Sequence, residues 1–79
     1  MKRQRNKNVI GARLHNIRRE KKITQKEVCE KMQEIGLFLS QSALSKIESG
    51  ERCVRDGEVL MLAYVLGVEV EELLGTVME

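Results

Sequence analysis

Residues 24–50 read TQKEVCEKMQEIGLFLSQSALSKIESG, a stretch that spells two helices joined by a short connection. Thr24 followed three residues later by Glu27 has the form of a capping box. In it the threonine hydroxyl accepts from the Glu27 amide while the glutamate reaches back to the Thr24 amide. Val28, Met32 and Ile35 then recur at helical spacing, and Gly36 can take the left-handed conformation that stops a helix. Leu37–Leu39 is a short apolar connector. Ser40 is an N-cap for a helix from Gln41 to about Glu48, whose Leu44 and Ile47 lie three residues apart on one face and which Gly50 ends. Gln41, Ser42, Ser45 and Lys46 fall on the opposite face.

Upstream, Ile10, Leu14 and Ile17 mark one apolar stripe on a helix from about Asn8 to Lys21 whose other faces are basic. Residues 1–7 precede it as a basic arm, expected to be disordered. Downstream, Val59, Leu60, Leu62, Ala63 and Leu66 describe a nearly all-apolar helix ended by Gly67, and Glu69–Leu74 a last short helix with Leu73 and Leu74 facing the core. Proline is absent and the aromatics are limited to Phe38 and Tyr64. Residues 8–75 therefore predict one all-α domain of five helices, with 76–79 as a tail. In this reading the six glycines are helix ends.

The net charge of +2 conceals an uneven distribution. Residues 1–22 carry nine bases and one acid, a balance of +8, and residues 23–79 balance to −6. One end is suited to a polyanion, the other to solvent or protein. Two cysteines define neither a disulfide framework nor a four-ligand zinc site, which points to a reducing, cytoplasmic setting. Cys29 reads as a packing residue and Cys53 as exposed, while His15 reads as a surface residue rather than a ligand or base. No apolar run approaches the roughly 20 residues that span a bilayer. A nucleophile elbow, a glycine-rich phosphate loop and carboxylates paired in an apolar setting are all missing, so no enzyme, metal, cofactor or small-molecule ligand is expected.

The polar face of the Gln41 helix suits a groove. A major groove about 12 Å wide admits one α-helix, and side chains near its start meet base edges. Glutamine can bond adenine in two places, lysine can donate to guanine, and serine can serve either.

Three blocks, IGARLHNIRREKKITQKEV, SQSALSKIESGER and DGEVLMLAYVLGVEVEELL, carry a closer likeness. Over Ile10–Leu74 the chain resembles the Cro and repressor-like, or XRE-type, helix-turn-helix regulators. The resemblance implies a five-helix, lambda-repressor-like domain that binds a palindromic double-stranded DNA operator as a homodimer. By position, Gln25 corresponds to the family's phosphate-clamping glutamine, and Gln41, Ser42 and Lys46 to its base-reading residues, with Ser45 beside them. Ser49, the amides around Gly50, and Arg52 correspond to the loop that grips backbone. Arg18 and Glu48 correspond to a largely buried ion pair, a structural feature rather than a DNA contact. The chain departs from the pattern in having about five extra residues between Met32 and Ser40, an extended connection between helices 2 and 3. It also has Arg55 and Gly57 at the start of the fourth helix, which is expected to fray.

Lys2, Arg3, Arg5 and Lys7 are expected to add phosphate or minor-groove contacts. Val70, Leu74, Val77 and Met78 form a surplus apolar surface suited to a homodimer. The alternative is that this surface binds a different protein, as in a DNA-binding antitoxin or an interaction adaptor.

Overall fold

A computed structural model describes the backbone of residues 2–74 and the side chains of residues 10–74. The helices are α1 (Lys2–Glu20), α2 (Gln25–Glu34), α3 (Gln41–Ser49), α4 (Asp56–Leu66) and α5 (Val70–Leu74), with no strand among the described residues. Contrary to the expected arm, the backbone of Lys2–Lys7 continues α1. Lysine, arginine and glutamine are good helix formers, and no glycine or proline interrupts them before Gly11. The side chains of Lys2, Arg3, Arg5 and Lys7 lie outside the described residues, as do Val77 and Met78.

The helix ends follow local chemistry. Both halves of the Thr24–Glu27 capping box are made, at 3.1 Å and 2.8 Å, and the Ser40 hydroxyl accepts from the Ala43 amide at 3.1 Å. At the end of α2, Gly36 has φ 97°, so its N–H reaches the Gln33 carbonyl and that of Leu37 reaches Met32. The extended connection is thus a defined turn followed by Leu39, which is buried. Between α1 and α2 the same reversal is made by Lys22 at φ 59°, a conformation a lysine adopts at a cost.

One apolar core joins all five helices. It contains Ile10 and Leu14 of α1, Val28 and Met32 of α2, Leu44 and Ile47 of α3, Val59, Leu62, Ala63 and Leu66 of α4, and Leu73 of α5. α1 packs on α3 and α5, and α4 on α2 and α5. Gly11 lies within α1 rather than at a helix end. There the α3 backbone comes so close that a Cβ would overlap the Ile47 carbonyl oxygen. Leu73 is fully buried, but Leu74, also expected inward, is 51% exposed, because neighbouring helical positions point about 100° apart and both cannot face one core. Leu60 and Tyr64, one turn apart on α4, face outward.

The start of α4 is anchored rather than frayed. An arginine side chain has no acceptor to offer the first amides, so Arg55 supplies only its backbone N–H, which donates to Glu58 Oε1 at 3.0 Å. The buried Glu58 also receives both terminal nitrogens of Arg52, at 3.0 Å and 2.9 Å. This two-pronged pair ties the α3–α4 loop to the first turn of α4.

Candidate nucleic-acid interface

Glu48, near the end of α3, is a junction of three helices. Its side chain is only 5% exposed. Arg18 of α1 donates Nε to Oε2 at 2.7 Å and Nη2 to Oε1 at 3.0 Å, and its Nη1 reaches the Ile23 carbonyl at 2.9 Å. Oε1 also accepts from Gln25 Nε2 of α2 at 3.2 Å and bonds His15 Nδ1 at 2.9 Å. Burial alone would push the Glu48 carboxyl up; the hydrogen bonds from Arg18, His15 and Gln25, with the Arg18 charge, outweigh it and hold the carboxyl below its ordinary range. The expected Arg18–Glu48 contact is present, with two further partners.

This junction fixes the angle at which α3 presents its other side. Leu44 and Ile47 are fully buried, while Gln41, Ser42, Ser45 and Lys46 are exposed. Gln25, in the first turn of α2, is half-buried beside them and lines an open depression of about 290 Å³ with His15, Ser45, Glu48 and Ser49. The Ser49 hydroxyl lies 3.1 Å from both the Lys46 carbonyl and a Glu51 carboxylate oxygen. Arg52, expected in the backbone-gripping loop, spends its terminal nitrogens on Glu58 and the Cys53 carbonyl. That leaves its Nε and the outer edge of the fork for any further partner.

The helix-turn-helix family model matches residues 14–73. The chain belongs to the Cro and repressor-like helix-turn-helix family. No curated protein and no solved structure was found to match.

A helix-turn-helix protein of this family is a DNA-binding regulator, and the matched span contains α2, its connection and α3 whole. Among the described residues no helix is long and apolar enough to cross a membrane, and no cluster of potential metal ligands occurs. Of the side chains around the candidate interface, sequence reasoning missed His15 as a partner of Glu48 and Glu58 as the partner of Arg52. His15 lies one residue past the buried Leu14 and three before Arg18, which places it on the edge of α1 that Arg18 occupies. That spacing was a usable signal. Glu58, three residues after Arg55, stands where a glutamate reaches back to a cap amide, but that spacing gives no sign of Arg52.

Proposed function

We propose that this helix-turn-helix protein is a small transcriptional repressor that binds double-stranded DNA by sequence, with α3 in the major groove. The observation that carries this reading is the two-sided build of α3: Leu44 and Ile47 lock one face into the core, and Gln41, Ser42, Ser45 and Lys46 stand exposed on the other. Those four side chains supply donors and acceptors for base edges. Gln25 and Ser49, with the unengaged N–H groups of Arg52, hold phosphates on either side, and the basic first turns of α1 with Lys2, Arg3, Arg5 and Lys7 add further phosphate contacts. Its setting is the cytoplasm, where the DNA is.

Four side chains on one helix specify only about three to five base pairs, too few against a large excess of competing sites. A homodimer on a palindrome meets that requirement, with α3 helices about 34 Å apart on one side of the duplex. The exposed Leu74 on α5 supports an apolar contact there; Val70 is half-buried against the core and contributes less. Selection of bound duplexes from a random pool tests the reading: a two-fold symmetric motif is expected, and recovery of unenriched sequence contradicts it.

A further inference from the structure

His15 offers the candidate interface a group that its neighbours do not. An ionised carboxylate only accepts hydrogen bonds, so the 2.9 Å contact with Glu48 Oε1 places the ring hydrogen on Nδ1. The other ring nitrogen, Nε2, has no partner among the described residues, and the side chain is 41% exposed at the depression shared with Gln25, Ser45 and Ser49. Gln25 bonds the same carboxylate oxygen as His15. Its carboxamide and the imidazole therefore stand side by side over Glu48.

The charges decide what can enter. Arg18 cancels Glu48, so with a neutral imidazole the cluster has no net charge and Nε2 presents a lone pair. With an imidazolium the cluster is +1 and Nε2 is an N–H donor, which suits a phosphate oxygen.

We propose that His15 contacts DNA, donating from Nε2 as an imidazolium to the backbone phosphate that Gln25 receives, while Nδ1 stays on Glu48. The inference rests on the reading of Gln25 as a phosphate contact. Binding then takes up one proton from solvent at Nε2, and no other covalent bond forms or breaks. The groups facing the ring keep their charge as this happens. Glu48 from α3 is held ionised by its hydrogen bonds, the Arg18 guanidinium on α1 is permanently charged, and Gln25 from α2 does not titrate. Cys29, behind it on α2, is kept a neutral thiol by burial and by the charges of Glu30 and Glu48. Histidine is the residue type that changes charge between pH 5 and 8. DNA affinity is thereby coupled to pH.

The test is fluorescence anisotropy on a labelled duplex from the selected pool, at constant salt, from about pH 8 to about pH 6. The proteins are the wild type, His15→Gln, His15→Ala and Gln25→Ala, each first shown to be folded by circular dichroism. The wild type is expected to tighten as pH falls, approaching about tenfold per pH unit, the limit for one proton taken up. Both His15 variants are expected to lack this gain. The wild type alone provides a second reading, because its salt dependence should steepen by about one phosphate contact at the lower pH. A pH dependence shared by the wild type and both His15 variants, or a flat wild type, overturns the proposal. If Gln25→Ala still weakens binding in that case, only the role of His15 fails. If Gln25→Ala binds like the wild type, the phosphate reading beneath it fails as well.

Discussion

Arg18 Nε lies 2.7 Å from Glu48 Oε2, and the two residues come from helices whose backbones nearly touch. α1 approaches α3 at Gly11, and about two turns later Arg18 fastens the same pair of helices through a carboxylate that is almost wholly buried. A buried pair of this kind is a modest source of net stability, but loss of one partner leaves a charge without compensation.

Arg18→Ala is therefore expected to destabilise the fold by about 3 kcal/mol, read as a lowered midpoint in urea unfolding. His15 and Gln25 remain as donors to Glu48 and keep the loss toward the lower end of what breaking a buried pair costs. An unchanged midpoint contradicts the structural role of the pair.

Acid is expected to weaken the fold through two carboxylates. Glu48 is held below its ordinary range against the cost of burial by Arg18, His15 and Gln25, and Glu58 is held low by Arg52 first, with burial opposing. For a carboxyl lowered on folding, the stabilisation is fully present above the unfolded value, about pH 4.3. It is lost as pH falls through the lower folded value. Urea unfolding from neutral pH to about pH 3 should show that decline, and Glu58→Gln should flatten part of it. An identical pH profile for Glu58→Gln contradicts the assignment of Glu58.

Gly11→Ala reverses the usual sign. Alanine in a helix interior ordinarily stabilises by about 1 kcal/mol relative to glycine, yet here its methyl group would overlap the Ile47 carbonyl, a backbone atom that cannot step aside. Destabilisation, seen as a lower melting temperature, is the expected result. A raised melting temperature contradicts the close approach of α1 and α3.

Dimer formation on DNA is read by analytical ultracentrifugation with the selected operator. Two chains per duplex are expected, and Leu74→Asp, which changes an exposed side chain, should weaken the second chain's binding. One chain per duplex at saturation contradicts the homodimer.

The parts of the fold set by neighbours in sequence were legible there. Thr24 with Glu27, Ser40, Gly36 and Gly50 each make a local contact or adopt a local conformation, so the bounds of α2 and α3 follow from short windows. The exposed face of α3 was legible for the same reason, since Leu44 and Ile47 fix its rotation. Contacts between distant residues were harder to read. Gly11 resembles a helix breaker until the α3 backbone opposite it is known, and only the three-residue spacing of His15 from Arg18 hinted that it reaches Glu48, thirty-three positions later. The Arg18–Glu48 pair was anticipated through family resemblance, not through spacing. Arg52 was placed in the phosphate loop by position alone, and nothing in its immediate sequence showed that Glu58 would receive two of its nitrogens.

Base reading by the exposed face of α3 is tested most directly by repeating the random-pool selection with Gln41→Ala, Lys46→Ala and the double variant. Each is expected to relax the preferred sequence at a particular position, at a cost of roughly 1–3 kcal/mol on the original site, while Gln25→Ala weakens all sequences alike. A double variant that recovers the wild-type motif with wild-type affinity would contradict the assignment of α3 as the reading helix.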